Sequence, residues 1–203
     1  MWEENPICLM KTIYLIVALC FLSIFTIQAQ LIAKEKNNKF GYVDSFGKMQ
    51  IPNEYTIAFT DTLKTIAFVG DNGKIWAIDK NNKKLFEVFN FDSGPDYECE
   101  GLFRIVGEDG KMGFANNQGE IIIAPTYFFV RPFSNGFAAF NVGGERVLVN
   151  NIDNYTRIVG GKWGYIDKTG TVVFPAIFDN VDGFEDKKSV VKIGEHIFNI
   201  YEE

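Results

Sequence analysis

A short motif that recurs along this chain is the feature that most restricts its fold. Each copy begins with lysine, continues through apolar or small residues and reaches Asp or Asn five positions later. The copies are residues 39–44, 74–79, 111–116 and 162–167, with starts 35, 37 and 51 positions apart, and a partial copy begins at His196. Self-similarity at such a period is the signature of a repeat architecture. We therefore expect an array of similar units.

The residues after each motif predict a tight turn and a returning strand. The turn-opening residues Asp44, Asp79, Asn116 and Asp167 are followed three positions later by Gly47, Asn82, Gly119 and Gly170. Asp or Asn can accept downstream backbone N–H groups, and Gly or Asn tolerates the left-handed conformation that closes such a turn. The return strands are residues 48–51, 83–88, 120–123 and 171–174. Three of them meet Pro52, Pro125 or Pro175, which we expect to end the strand.

The composition favours strands over helices. Aromatic residues make up 15% of the chain, with 20 Phe, and such side chains suit the faces of sheets. We expect an all-β repeat array of short antiparallel strands, about three per repeat, with copies near residues 39–72, 73–109, 110–160 and 161–194 and a partial copy at 195–203. A β-solenoid of stacked hairpins is preferred because the copies are unequal, and a small propeller-like arrangement is the alternative.

The first 29 residues read as a signal peptide. Lys11 precedes an apolar run over residues 13–27, and Ala29 supplies the small residue of a cleavage site. We expect export to the periplasm, the cell envelope or the medium, with a mature chain from Gln30. Translation from Met10 would give a more regular leader. An uncleaved membrane anchor is the alternative, although the run is shorter than the roughly 20 residues of a spanning helix.

The charge of the mature chain argues against two classes of partner. The net charge is −6, and removal of the leader with Glu3, Glu4 and Lys11 leaves −5. An acidic protein repels phosphate backbones and anionic lipids. We expect no nucleic-acid partner and no membrane contact except through an uncleaved leader. Cys99 is the one cysteine outside the leader, and we place it, partly buried, in the third strand of the second repeat.

The motif residues are interpreted as structural. Large residues are expected to pack between repeats, and the glycine after them allows backbones to approach closely. The alternative is an aromatic ladder that stacks on sugar rings. The residues interpreted as structural are Phe40, Gly41, Tyr42, Asp44 and Gly47; Trp76 and Asp79; Gly113, Phe114, Asn116 and Gly119; and Trp163, Gly164, Tyr165, Asp167 and Gly170.

The fourth copy resembles a known family. Residues 161–170 read Gly-Lys-Trp-Gly-Tyr-Ile-Asp-Lys-Thr-Gly, with Val-Phe-Pro at 173–175 and Phe-Asp at 178–179. This is similar to the WG-repeat (KWG) family of bacterial proteins. The other copies are degenerate, since only the fourth has the Trp-Gly pair. The resemblance implies a β-repeat scaffold, most of whose members have no assigned activity, so it bears on the fold more than on function.

Few residues are available for catalysis. His196 is the single histidine and has no nearby Ser or Cys nucleophile, so a catalytic triad and a zinc site both lack members. We expect no cofactor, no metal and no catalytic residue. The residues from which an active site could be built are four clustered carboxylates, which could act in a hydrolase or bind calcium: Asp92, Asp96, Glu98 and Glu100.

The spacing between the third and fourth copies is about fifteen residues longer than the others. We place the excess at residues 143–155, after a strand that ends at Val142, and align residues 157–160 with residues 104–107. An insertion in a repeat protein maps to a loop that is often the binding face, and an ornamental loop is the alternative. The candidate partner residues are Arg146, Asn150, Asn151, Asp153, Asn154 and Tyr155.

Two classes of function result. The preferred one is a non-enzymatic, exported binding or interaction protein that presents its repeat surface to an unknown protein or glycan. The alternative is a carboxylate-dependent hydrolase or a glycan-binding protein that acts on cell-surface polysaccharide.

Overall fold

The structure is a computed structural model that describes residues 30–150 and 155–201. The expected leader, residues 1–29, lies outside the described residues. The described chain is all-β, as the sequence predicts, and its regular structure consists of twenty-two strands. Within these residues the chain forms no helix with the length and hydrophobicity needed to cross a membrane.

The strands fall into four repeats and a partial fifth, each an antiparallel meander. In chain order they are β1 (Leu31–Lys36), β2 (Lys39–Val43), β3 (Met49–Tyr55), β4 (Ile57–Ala58) and β5 (Thr62–Leu63); β6 (Ala67–Asp71), β7 (Lys74–Ile78), β8 (Lys84–Val88), β9 (Asn90–Phe91) and β10 (Gly94–Pro95); β11 (Leu102–Val106), β12 (Met112–Asn116), β13 (Ile121–Tyr127) and β14 (Phe129–Val130); β15 (Phe137–Val142), β16 (Glu145–Asn150), β17 (Tyr155–Val159), β18 (Lys162–Asp167), β19 (Val172–Phe178) and β20 (Asn180–Val181); β21 (Lys188–Ile193) and β22 (His196–Tyr201). In every full repeat the motif strand (β2, β7, β12 or β18) lies between the first strand of the repeat (β1, β6, β11 or β15) and the return strand (β3, β8, β13 or β19).

Short strands link each repeat to the next. β4 pairs with β6, β14 with β15 and β20 with β21. In the second repeat the return strand β8 pairs directly with β11, while β9 pairs with β10. Consecutive repeats are therefore joined by backbone hydrogen bonds as well as by apolar packing.

The turn after each motif has the geometry that the sequence predicts. In all four copies Oδ1 of the Asp or Asn accepts the backbone N–H groups two and four residues downstream, at 2.8–3.0 Å. Gly47, Asn82, Gly119 and Gly170 close the turns with φ between 64° and 85°, the left-handed region that Gly and Asn tolerate. Local hydrogen bonds therefore hold each hairpin in register.

One of these turns makes a testable contribution to acid stability. Hydrogen bonds from the Thr169 hydroxyl and from downstream backbone N–H groups hold the pKa of Asp167 below its usual range. A carboxyl group with a depressed folded pKa stabilises the fold above its unfolded pKa of about 3.9, and this contribution is lost as the pH falls through the folded value. We expect Asp167→Asn to leave the free energy of unfolding at neutral pH nearly unchanged, because Asn116 makes the same backbone bonds in the third repeat.

Below about pH 4 the Asp167→Asn variant should lose less stability than the unsubstituted chain. Urea unfolding across this pH range measures the difference, with Glu108→Gln as the control, since Glu108 is exposed and lies outside the four motif turns. If the stability of the variant falls as steeply with decreasing pH as that of the unsubstituted chain, Asp167 is not the source of the acid sensitivity.

The tyrosine of the motif ties its hairpin to the segment that follows the return strand. The Tyr42 hydroxyl donates to Thr60 O at 2.8 Å, and the Tyr165 hydroxyl donates to Asp182 O at 2.7 Å. Both rings are fully buried, and burial raises the pKa of Tyr165 to about 12. The hydroxyl therefore stays protonated and remains a donor at neutral pH.

The motif glycine permits a bulge in the pairing with the return strand. At Gly41, Gly113 and Gly164 the register shifts, and a Cβ atom there would overlap the facing backbone carbonyl. The three prolines lie inside β3, β13 and β19, so the expectation that proline ends these strands is wrong. A bulge leaves one residue without a ladder partner, so proline costs no hydrogen bond there.

The second copy differs at this position. Trp76 stands three residues before the turn aspartate, so it occupies the glycine position, and Ile75 takes the place of the large residue. Trp76, expected from the sequence to be a large packing residue equivalent to Phe40, is therefore the counterpart of Gly41 instead. Pairing with β8 is regular from Ile75 to Ala77, so this copy has no close approach that a side chain would obstruct. The Trp76 ring packs against the core of the first repeat and lies near the ammonium groups of two lysines.

Four hydrophobic cores follow one another along the array. Each combines buried side chains of one repeat with those of the next. The first contains Tyr42 and Val69, the second Phe86 and Phe103, the third Phe114 and Phe140, and the fourth Tyr165 and Val191. The stability of the described array is therefore distributed over successive interfaces, as in other repeat proteins.

Cys99 is half-buried, as predicted, but it does not belong to a strand. It lies in a tight turn before β11, where its N–H donates to Leu102 O at 2.8 Å. The same turn occurs before β15 at Ser134 and before β21 at Glu185. Burial raises the pKa of the Cys99 thiol, and the nearby Asp96 carboxylate adds to this effect. Little reactive thiolate therefore forms at neutral pH.

The insertion between the third and fourth motifs is a β-hairpin, so the prediction of a loop is wrong for its described part. β16 and β17 are antiparallel: Glu145 pairs with Val159 at the base of the hairpin, and Asn150 pairs with Tyr155 at the other end. The β-branched residues of the two strands favour this extended conformation. Residues 151–154 lie outside the described residues. Residues 157–160 do not correspond to residues 104–107, because the counterpart of β11 is β15, which pairs with the motif strand β18.

Buried Asn141 holds the base of this hairpin. Its Oδ1 accepts the Gly144 N–H at 3.0 Å, and its Nδ2 donates to Gly160 O at 3.2 Å. The two ends of the insertion are thereby fixed at the end of β15, and the hairpin starts from a defined position.

Candidate functional site

A cleft of about 940 Å³ opens where the second, third and fourth repeats meet the inserted hairpin. This volume lies near the upper end of the roughly 300–1,000 Å³ that small-molecule sites occupy. The cleft is lined by the aromatic residues Phe89, Phe91, Phe129 and Trp163, the basic residues Arg104, Arg131, Arg146 and Arg157, and Asn90, Asp92, Val149, Ile158 and Asn180. It therefore combines flat apolar walls with positive charge.

The cleft contains every arginine of the chain. The sequence has four Arg and sixteen Lys, and the lining residues include all four Arg and none of the described Lys. The arginines come from four places: β11, the segment after β14, β16 and β17. Arg and Lys carry the same charge, so charge alone does not explain why arginine rather than lysine lines the cleft. The property that distinguishes arginine is its guanidinium group, which has planar donors and a surface for stacking.

Three of the arginines stack on aromatic rings. The Arg104 Cζ atom lies 4.4 Å from the ring centre of Phe89 and 5.5 Å from that of Phe91. Arg131 lies 4.9 Å from the ring centre of Trp163, and Arg146 lies 5.8 Å from that of Phe129. These distances fall within the range of cation–π attraction. The aromatic wall thus holds the guanidinium groups at defined positions.

The rings also contact one another across repeats. Phe129 meets Phe89 of the preceding repeat and Trp163 of the following one, both edge to face, with ring centres 6.4 and 6.3 Å apart. Such contacts add to the apolar burial of each ring. The cleft wall is therefore one continuous surface built by three repeats.

The charge of Arg104 is balanced by an ion pair with Asp96. Its Nε donates to Asp96 Oδ2 at 2.9 Å and its Nη2 to Oδ1 at 2.5 Å, and its backbone N–H also donates to Asp96 at 2.8 Å. Both residues are buried, with 4% and 6% of their surface exposed. Arg104 consequently supports the wall and brings no net charge to the cleft.

The other three arginines keep their charge. In the part of the chain that the structure describes, no salt bridge involves Arg131, Arg146 or Arg157. Arg131 donates to Val181 O at 2.7 Å, and Arg146 Nη2 lies 3.5 Å from Met112 Sδ. Arg146 and Arg157 are exposed on the hairpin. Each retains N–H groups that can donate to a ligand.

The structure disperses the four carboxylates that the sequence suggested for an enzyme. Asp92 lines the cleft, whereas Asp96 is committed to Arg104. Glu98 accepts a hydrogen bond from Asn117. Glu100 accepts from Lys168 and Gly136, and these contacts outweigh its burial and lower its pKa. Within residues 30–150 and 155–201, no three His, Cys, Asp or Glu residues form a group that could hold a metal ion.

The candidate partner residues of the insertion are placed differently from the expectation. Arg146 lines the cleft from β16. Asn150 and Tyr155 are the facing end residues of β16 and β17, and Asn151, Asp153 and Asn154 lie outside the described residues. The insertion therefore reaches the site through the sides of its hairpin.

The large motif residues do not form an exposed aromatic row. Met112 is fully buried, Trp163 is 5% exposed, and Trp76 belongs to a different core from Trp163. The accessible aromatic surface at the cleft is Phe91, which is 45% exposed. Met112 and Trp163 therefore offer no accessible face for a sugar ladder, and stacking in the cleft would use Phe91 instead.

Sequence reasoning missed Arg104, Arg131 and Arg157 as site residues. The available signal was the scarcity of arginine, since all four lie between residues 104 and 157 of a chain otherwise rich in lysine. Two of them directly follow aromatic segments, at Phe103-Arg104 and Phe129-Val130-Arg131. Their convergence depends on strand pairing between repeats, which the spacing alone does not reveal.

In a comparison with protein-family models, residues 112–145 and 163–195 match the family described as "WG containing repeat". The first matched segment runs from β12 to the start of the inserted hairpin, and the second runs from β18 through β21. They include the cleft residues Phe129, Arg131, Trp163 and Asn180. A search among curated proteins found no match for the chain. In these two segments the chain is similar to WG-repeat proteins.

Proposed function

We propose that this chain is a non-enzymatic, exported binding protein that holds its ligand in the cleft between the second, third and fourth repeats and the inserted hairpin. The observation that carries the proposal is the presence of all four arginines in that cleft. One of them is neutralised by Asp96, and three keep their charge among the described residues. Fold stability does not require unpaired guanidinium groups to converge, whereas a binding site does.

The carboxylates favour binding over hydrolysis. Hydrolysis of a glycosidic bond uses two carboxyl groups roughly 5–10 Å apart. Of the described carboxylates, Asp92 is the one that lines the cleft. Asp96 and Glu100, two of the remaining candidates, are held by Arg104 and Lys168. These carboxylates therefore do not provide the second carboxyl group that glycoside hydrolysis needs beside Asp92.

An open, solenoid-like array is the geometry that we propose for the repeats. Each hydrophobic core combines side chains of consecutive repeats, and the short strands join neighbours in sequence. Nearest-neighbour packing of this kind is typical of a solenoid. A cleft between successive repeats is then a natural binding surface.

Removing the hairpin tests the assignment of the site. Residues 145–159 are replaced by a short Gly-Ser linker between Gly144 and Gly160, which retains the two hydrogen bonds of Asn141. Thermal unfolding is then followed with a panel of charged and neutral mono- and oligosaccharides. We expect at least one compound to raise the melting temperature of the unsubstituted chain, since ligand at 100 times its Kd adds about 2.7 kcal/mol. The shortened variant should lose that response.

The control for this experiment is Lys48→Gln, which changes an exposed charge in the first repeat, away from the cleft. It should respond to ligand like the unsubstituted chain. A compound that stabilises the shortened variant equally well binds elsewhere and refutes the assignment of the cleft. A panel without any stabilising compound refutes it as well.

A further inference from the structure

We infer that the ligand of this cleft is a compact acidic sugar, and that Arg131, Arg146 and Arg157 bind its carboxylate groups. The inference rests on the proposed function and specifies the chemistry of the ligand. It draws on the charge of the cleft, the geometry of its donors, its size and its aromatic surface.

The charge of the cleft is opposite to that of the molecule around it. The chain as a whole carries a net charge of −6. The described lining residues contribute four guanidinium groups, and the charged groups that oppose them are Asp96, paired with Arg104, and the lining residue Asp92. Local positive charge in an acidic protein attracts an anion to this cleft specifically.

The identity of the basic residues indicates the shape of the anion. A guanidinium group presents parallel N–H donors that match both oxygens of a carboxylate, whereas a lysine ammonium acts as a point charge. Because the described lysines lie outside the cleft, the site is suited to planar, two-oxygen acceptors. Arg131 is oriented by Trp163 and by Val181 O, so little side-chain freedom is lost when it binds.

The size of the cleft and the charge of the protein favour a short ligand. A volume of about 940 Å³ accommodates a small molecule or a few sugar rings. A long polyanion such as single-stranded nucleic acid would extend beyond the cleft over a surface of net negative charge, which repels it. The attraction is therefore greatest for an anion that the cleft encloses.

The aromatic surface favours a ring with an apolar face. Phe91 is 45% exposed at the cleft, and Tyr97 packs edge to face against it with ring centres 5.8 Å apart. Val149 and Ile158 add apolar area from the hairpin. A sugar ring presents C–H groups on one face that can pack against Phe91 while its carboxylate reaches the arginines.

Isothermal titration calorimetry with trigalacturonic acid is the direct test. Its methyl ester is the matched probe, because the rings are the same and the carboxylates are neutralised. We expect the acid to bind at least tenfold more tightly than the ester, and added salt to weaken only the acid, since screening acts on charge. Inorganic phosphate and a short single-stranded DNA are further probes that identify whether another oxyanion or a polyanion is preferred.

Two substitutions test the roles of individual arginines. Arg157→Lys and Arg146→Lys keep the net charge and remove the planar donor pair, so each should weaken binding of trigalacturonic acid about tenfold. Lys48→Gln lowers the net charge of the protein by one without touching the cleft and should leave binding nearly unchanged. Circular dichroism of each variant verifies that the fold is intact.

Several outcomes would overturn the inference. They are equal affinity for the acid and its ester, no binding of the acid at a Kd below about 1 mM, and stronger binding of phosphate or DNA. Unchanged affinity in both Arg→Lys variants would also overturn it. If the ester binds and the shortened hairpin variant loses that binding, the proposed function stands while the acidic sugar is excluded.

Discussion

Replacing Asp96 with alanine is expected to lower the free energy of unfolding by about 3–5 kcal/mol, the cost of leaving one member of a buried ion pair alone. The destabilisation is expected because Arg104, a residue that is 4% exposed, makes its charge-balancing bonds to Asp96. Phe89 and Phe91, which stack on Arg104, would lose their support as well. Equilibrium unfolding in urea measures the effect.

Asp109→Ala is the matched control for this prediction. Asp109 also pairs with a basic residue, Lys111, but both side chains are more than half exposed, so its removal should have little effect. Substituting Asp96 and Arg104 together by leucine and methionine should recover much of the loss, because no buried charge is then unpaired. An Asp96→Ala variant as stable as Asp109→Ala would show that the pair is not a support of the cleft wall.

Gly164→Ala is expected to destabilise the protein by about 3 kcal/mol, at the upper end of the cost of overpacking. The added Cβ would lie 2.5 Å from Phe174 O and 2.8 Å from the Phe140 ring. Neither the return strand nor the core of the third and fourth repeats can move without breaking other contacts. Thermal and urea unfolding of the variant measure the loss.

Gly183→Ala is the control for the glycine prediction. A Cβ atom at Gly183 meets no neighbour within 4 Å, and its φ lies outside the left-handed region, so the variant should be as stable as the parent or slightly more so. If Gly164→Ala and Gly183→Ala unfold alike, the bulge does not depend on the absence of a side chain.

The motif turns were predictable because the interactions that define them are local. Each turn Asp or Asn bonds to N–H groups two and four residues away, and this spacing is visible in the sequence. The start of the insertion after Val142 was located correctly, but its end was not, because β17 continues to Val159. The conformation of the inserted residues was not predicted either, because the polar residues that suggested a loop are concentrated at 150–155, whereas the apolar residues Val147, Leu148 and Val149 belong to β16.

The proline prediction failed for a different physical reason. Proline ends a regular strand because it lacks a donor, but a bulge already leaves one position without a partner. Whether Pro175 faces a bulge depends on Gly164, which precedes it by eleven residues and lies across the ladder from it. A residue-by-residue rule could not include this cross-strand relation.

The sequence by itself determined the repeat, its period, its turns and its all-β class, since these follow from hydrogen bonds and steric limits within a few residues. The cleft was decided by the tertiary structure. Arg104, Arg131, Arg146 and Arg157 become neighbours because pairing between repeats and the inserted hairpin bring four separate segments together, and no local interaction encodes that convergence. The net charge of −6 is a sum over the whole chain, so it concealed a positive cleft that exists only after folding has brought the four arginines together.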